Sequence, residues 1–164
     1  MFFDEILYGT QYYRSPTPLK DEWATDLQNL PEYSLAVFQI RINWRNAERR
    51  RGEYDFSDVD ALLELAEKNN LKVCIKFLLE CAPQYVFDEC GGNRIGSKGE
   101  LLRGGYHGAF FGGFKPCFNN PEVKKAAERF VEETVKRYAD NKNVILWNVW
   151  NEPRNRPIEE CFCP

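Results

Sequence analysis

Two kinds of segment alternate along this chain, and their order limits the fold more than any other property. Short apolar, β-branched runs at 6–9, 35–42, 71–79 and 144–150 are separated by stretches with helical spacing. Val59, Leu62, Leu63 and Ala66 fall at i, i+3, i+4 and i+7, which puts one apolar stripe on a helix. Ser57 is its expected cap, with Asp60 completing an approximate capping box, and Asn69-Asn70 is its expected end. A second helix opens with Asn120 as cap and Pro121 at its first position, and buries Val123, Ala126, Ala127, Phe130, Thr134 and Tyr138. A third is expected over 19–29. Strands alternating with helices predict a parallel sheet with crossovers, either a barrel or a doubly wound sheet. No Gly-rich turn joins a strand directly to a helix in a phosphate-cradling pattern, which removes the nucleotide-binding doubly wound folds. A complete (β/α)8 barrel needs about 250 residues, so four strands in 164 residues predict an α/β fold: the N-terminal half, strands 1–4, of a TIM barrel. On this reading 1–164 is one partial barrel domain.

Charge and composition exclude several function classes. Lys plus Arg number 22 against 25 Asp plus Glu, too even a balance for a nucleic-acid binder that neutralises phosphates. No apolar run approaches the roughly 18 to 20 residues that cross a bilayer. The first residues, Met1-Phe2-Phe3-Asp4-Glu5, carry acids where a secretory leader carries positive charge, so a cytoplasmic location is expected. The six cysteines include no Cys-x-x-Cys, which argues against a redox protein, and leave metal ligation and disulfides both open.

Between 80 and 120 lies a long segment rich in glycine and aromatic residues, read as a loop; loops of this length in a compact domain are usually functional. The last strand ends in Trp147-Asn148-Val149-Trp150-Asn151-Glu152-Pro153. A carboxylic acid at the carboxyl end of a barrel strand lies on the face where such barrels hold their active sites. Tryptophans beside it lower the local dielectric and raise a carboxyl pKa toward that of a useful general acid. Asn151 is placed to hydrogen-bond a substrate hydroxyl.

Asn-Glu-Pro after a Trp-rich strand resembles the acid/base motif of the large clan of retaining (β/α)8 glycosidases. Three more stretches are similar to glycoside hydrolase family 42, the β-galactosidase family: Leu7-Tyr8-Gly9-Thr10-Gln11-Tyr12-Tyr13, Trp44-x-x-x-Glu48 with Gly52-Glu53-Tyr54-Asp55-Phe56, and Ala82-Pro83. The resemblance implies a carbohydrate substrate and double-displacement hydrolysis of a β-galactoside, with Glu152 as acid/base and Asn151 and Trp150 contacting substrate. It also implies a structural Zn2+ held by Cys117, Cys161 and Cys163, with a fourth thiolate at position 166. A Cys117–Cys161 disulfide is the alternative. Cys74 is expected to be a buried apolar residue, and Cys81 and Cys90 are a possible pair.

Two departures from the family pattern bear on the substrate. Phe38 stands where the family commonly has a sugar-contacting Arg, and Arg41 is the nearest substitute. Tyr85 replaces the usual Trp after Ala82-Pro83 and is expected to stack on sugar. Glu80 and His107 are weaker candidates, Glu80 being read as a solvated loop acid and His107 as incidental. Glu48 to Glu53 is read as a solvated, charged turn. The clan's nucleophile belongs to strand seven, so no residue here is assigned that role, and hydrolysis by these 164 residues alone is not expected. The open edges of strands one and four are expected to make the chain unstable or to recruit a second copy as a homo-oligomer. Other readings are a related glycosidase acting on β-glucan, mannan or arabinoside, and a catalytically silent carbohydrate-binding fragment.

Overall fold

The computed structural model describes residues 6–13, 17–102, 114–151 and 161–164. The chain divides into two compact units, one of Met1–Ile42, Phe56–Lys76 and Tyr138–Val149, the other of Asn43–Asp55, Phe77–Arg137 and Trp150–Pro164.

The first unit holds most of a four-stranded sheet. Strands β1 (Gly9–Gln11), β2 (Val37–Asn43), β3 (Lys72–Leu78) and β6 (Val144–Asn148) lie in the order β1-β2-β3-β6. β1 pairs parallel with β2 and β3 parallel with β6, through Gly9 opposite Val37 and Lys76 opposite Asn148. The expected parallel sheet is present. β1 begins at Gly9 rather than at residue 6, because Ile6 and Tyr8 are exposed and bury nothing. Gly9 is where the chain first closes on β2: a Cβ there would lie 2.6 Å from the Val37 carbonyl oxygen.

Helices α1 (Trp23–Asn29) and α3 (Ser57–Lys68) supply the apolar stripes of this unit. Trp23 and Leu27 from α1, Val59, Leu62, Leu63 and Ala66 from α3, and Phe38, Ile40 and Ile42 from β2 are all buried. The expected first helix is shorter than 19–29 and continues as a 3-10 turn over Leu30–Tyr33, where Pro31 interrupts the α-helical donors. Ser57 is not the cap of α3. It is the first helical residue, with Phe56 in the cap position and no side-chain cap hydrogen bond. The other end matches expectation: Asn70 takes a left-handed φ of 54° and Leu71 N–H donates back to the Ala66 carbonyl.

The second unit contains α2 (Trp44–Ala47), α4 (Gln84–Asp88), a hairpin of β4 (Arg94–Ile95) and β5 (Leu101–Leu102), and nearly all of α5 (Pro121–Tyr138). The segment 80–120 is therefore not a plain loop, although 103–113 lies outside the described residues. α5 is capped as expected, with Asn120 Oδ1 accepting from Glu122 N–H at 2.8 Å. Its apolar stripe packs in an aromatic core: Phe130 stacks on Trp44 at 5.8 Å and meets Phe77 edge-on at 6.1 Å.

Candidate functional site

The Asn-Glu-Pro segment follows β6 in the sequence. In chain order Val149, Trp150 and Asn151 follow the last residue of β6, and Asn151 is 7% exposed. A buried side-chain amide carries two donors and an acceptor that must be spent on protein or ligand. Glu152 itself, with residues up to 160, lies outside the described residues, as does His107. Trp150 packs edge-on to Phe118 at 4.8 Å. Its ring forms one wall of a groove of about 580 Å³ along α5, with Leu79, Phe118, Ala127, Val131 and Val135.

Strand parity separates the two candidates on β2. Phe38 is 0% exposed on the apolar side with Ile40 and Ile42, so the residue in the family's usual Arg position faces the core. Arg41 is on the opposite side. Its guanidinium hydrogen-bonds the Gln11 side-chain oxygen and lies 4.7 Å over the Tyr13 ring. Its backbone N–H donates to the Tyr13 carbonyl at 2.7 Å.

Tyr85 has the surroundings of a packing residue. It is 6% exposed, its hydroxyl donates to Glu48 Oε2 at 2.9 Å, and the Arg51 guanidinium covers its ring at 5.3 Å. Burial, then the charge and hydrogen bond of Glu48, push the phenol well above its ordinary range. The expected solvated turn is corrected at its first residue. Glu48 is 0% exposed and accepts from Trp44 Nε1 at 2.7 Å, Gly52 N–H at 2.8 Å and Tyr85. Arg51 is likewise engaged, pairing with Glu89 at 3.1 Å and donating to Cys90 Sγ at 3.2 Å. Composition pointed the wrong way here; the usable signal was Trp44-x-x-x-Glu48, since i and i+4 share a helix face. Glu80 is also buried, contrary to its reading as a solvated acid.

Three of the six cysteines meet. Cys117 Sγ lies 3.5 Å from Cys161 Sγ and 3.6 Å from Cys163 Sγ. All six are free thiols, so neither the Cys117–Cys161 nor the Cys81–Cys90 disulfide is formed. The trio is held by backbone: Phe162 N–H donates to the Ile95 carbonyl at 2.8 Å, and Ile95 N–H donates to Cys161 Sγ at 3.3 Å. Asn119 Nδ2 donates to Cys163 Sγ at 3.4 Å. Burial pushes the Cys117 thiol up to about 11. At Cys161 burial acts the same way but is outweighed by the hydrogen bonds it accepts, from Ile95 N–H first, leaving it below its ordinary value. A tetrahedral zinc with Zn–S bonds of about 2.3 Å sets its sulfurs roughly 3.8 Å apart. The trio fits that donor set and spacing.

The model of glycoside hydrolase family 42, described as beta-galactosidase, matches residues 12–164. The chain belongs to this family. Among its relatives, beta-galactosidase BgaH of Haloferax lucentense is 28% identical over 145 residues, covering 88% of this chain and 21% of the relative. The solved polyextremophilic beta-galactosidase of Halorubrum lacusprofundi superposes with a TM-score of 0.80 at 22% identity, over 96% of this chain and 23% of that one. Mannan endo-1,4-beta-mannosidase A of Emericella nidulans is 27% identical over 79% of this chain and 30% of its own length. The chain thus spans about a fifth of the length of the beta-galactosidase relatives it matches. Its parallel sheet is the N-terminal part of the family's (β/α)8 barrel, the fold class expected from the order of its segments.

Proposed function

We propose that this chain is the front part of a retaining glycoside hydrolase acting on β-galactosides. The observation that carries the reading is the family match over 12–164, which includes Asn151-Glu152-Pro153, separated in the sequence from the end of a parallel strand only by Val149 and Trp150. Glu152 is the acid/base: it gives its proton to the glycosidic oxygen as the bond to the anomeric carbon breaks, then takes a proton from the water that attacks the glycosyl-enzyme. The other carboxylate, which attacks the anomeric carbon and lies about 5 to 5.5 Å from the acid/base carboxyl group in such enzymes, is assigned to no residue of this sequence. Asn151 presents its amide to a sugar hydroxyl. Burial of that amide supports the role, because a hydrogen bond in a dry site discriminates a hydroxyl from its absence far better than one in water.

Cys117, Cys161 and Cys163 would hold a structural zinc ion, which would tie the hairpin at Ile95 to the segment that follows the Asn-Glu-Pro motif. Their convergence within 4.8 Å supports this assignment. Zinc supplies no step of the reaction; as a closed thiolate site it fixes the loops around it.

The likeness to a mannan endo-1,4-beta-mannosidase keeps a second substrate in view. A panel of nitrophenyl β-galactoside, β-mannoside, β-glucoside and α-arabinoside assayed with the complete protein separates the two. Cleavage of the galactoside at the highest kcat/KM is expected; preference for the mannoside would move the activity to the sister specificity, and turnover of none would sink the hydrolase reading.

A further inference from the structure

The three converging thiols of the second unit are presented by two copies of one short turn. Cys117-Phe118-Asn119 and Cys161-Phe162-Cys163 share the pattern Cys-Phe-x. In each, the main-chain N–H of the third residue donates to the sulfur of the first: Asn119 N–H to Cys117 Sγ, and Cys163 N–H to Cys161 Sγ. The turns differ in their third residue. In one it is Cys163, which brings the third sulfur. In the other it is Asn119, whose side chain crosses between the turns and donates from Nδ2 to Cys163 Sγ at 3.4 Å. Asn119 therefore places one N–H on each of two sulfurs that belong to different turns.

The turn that carries Asn119 is fixed at both ends. Cys117 N–H donates to the Gly92 carbonyl at 2.8 Å, and Asn120 N–H returns to the Cys117 carbonyl at 3.2 Å. The cap of α5 is supplied by Asn120, whose Nδ2 also ties the helix start to the Cys90 carbonyl at 2.8 Å. That leaves the amide of Asn119 to the sulfur. Its side chain is exposed, so core packing does not account for its direction either. A thiolate bound to a metal has lost its proton and can only accept, which fixes the amide with its NH2 group toward Cys163. Three thiolates around a dication leave an excess of negative charge, in a chain whose net charge is already −3. Each N–H aimed at a sulfur takes up part of that excess, and hydrogen-bond partners of this kind hold metal ligands in place.

We propose that Asn119 is a positioning residue of the thiolate site: without touching the metal, it holds the Cys163 thiolate through its side-chain amide and so sets how tightly zinc is retained. Resting on the zinc reading of Cys117, Cys161 and Cys163, this role adds to it a residue outside the ligand set. It also accounts for the difference between the two turns. The third residue of one supplies a ligand, and the third residue of the other supplies that ligand's hydrogen-bond donor.

The test uses the complete protein, with Zn2+ affinity measured by competition against a chromophoric chelator and Co2+ as a spectroscopic stand-in for Zn2+. Asn119→Leu removes the amide and opens no core, because the side chain is exposed. It is expected to weaken zinc binding about tenfold, the lower end of the roughly 10- to 100-fold that loss of such a hydrogen-bond partner costs. In the Co2+ form it is expected to move the sulfur-to-cobalt charge-transfer band to longer wavelength, because a thiolate that loses a donor holds its lone pairs at higher energy. Asn119→Gln keeps an amide on a longer arm and should bind zinc more tightly than Asn119→Leu does. A loss below about threefold in Asn119→Leu, an unmoved band, or a glutamine variant no better than the leucine one overturns the role of Asn119 and leaves the zinc reading intact. A wild type that takes up no zinc and shows no charge-transfer band with Co2+ overturns the zinc reading itself, and the role of Asn119 with it.

Discussion

Replacing Glu48 by glutamine changes one oxygen to an amide and little else in shape, which makes it a sharp probe of the buried carboxylate. Wild-type Glu48 accepts from Trp44 Nε1 and Tyr85 OH on Oε2 and from Gly52 N–H on Oε1, and the Tyr54 hydroxyl is a further hydrogen-bond partner. Glutamine keeps one acceptor oxygen. In its better orientation that oxygen serves Trp44 and Tyr85, while its NH2 group confronts Gly52 N–H, donor against donor. A hydrogen bond to a charged group contributes about 1.5–3 kcal/mol and one between neutral groups about 0.5–1.5. One bond lost and two weakened therefore cost about 3–5 kcal/mol. With a urea m-value of about 1–3 kcal/mol/M, the midpoint falls by on the order of 1–5 M. Tyr85→Phe alone removes one bond and is expected to cost about 1.5–3 kcal/mol. Because both changes touch the same oxygen, the double variant should fall short of the sum by about 1 kcal/mol or more. Urea titration of the wild type, the two single variants and the double variant supplies all four numbers. A Glu48→Gln cost below about 0.5 kcal/mol with strict additivity would show that these hydrogen bonds do not hold the unit together, and the argument from the buried carboxylate would be wrong.

Three further outcomes are expected. Asn120→Ala removes the oxygen that caps α5 and should cost about 1 kcal/mol, whereas Asn120→Asp should recover most of it; thermal unfolding reads both. Gly9→Ala drives a Cβ to 2.6 Å from the Val37 carbonyl oxygen, so β1 must shift off β2 at a cost of about 1–3 kcal/mol, visible as faster amide exchange at Tyr12 N–H. In metal-free protein near pH 8, Cys161, whose accepted hydrogen bonds hold its thiol below the ordinary value, should react with iodoacetamide before Cys117, whose burial raises it to about 11. Raising the pH toward 11 should bring in Cys117, and stoichiometric Zn2+ should protect both, as peptide mapping will report.

Much of the fold is legible in the residues because period alone decides it. The stripe Val59, Leu62, Leu63 and Ala66 and the Asn120-Pro121 start are local signals whose structural meaning does not depend on distant partners. Where distant partners decide, sequence reading goes astray. β1 starts at Gly9 because of what Val37 places opposite it, and the 80–120 segment holds α4, whose Tyr85, Val86 and Phe87 are buried, and a short antiparallel hairpin. Glu48 lies in a run of charge that reads as solvent-facing, and only its i+4 relation to Trp44 hints otherwise. The convergence of Cys117 with Cys161 and Cys163 follows from the family pattern; spacing in sequence could not separate it from a disulfide. The clasp of Gln11 and Tyr13 on Arg41 has no sequence motif at all, since it arises from strand register.

The central claim is that Glu152 is the acid/base of a β-galactoside hydrolase, and its most direct test is the Glu152→Ala variant of the complete protein. On a β-galactoside with a poor leaving group, which needs the proton, kcat/KM should fall by about 10²–10⁴-fold. On dinitrophenyl β-galactoside, whose leaving group needs none, glycosyl-enzyme formation should survive, and added azide should restore turnover by attacking the anomeric carbon to yield β-galactosyl azide. Undiminished hydrolysis of the poor substrate, or equal losses on both substrates with no rescue by azide, would contradict the account.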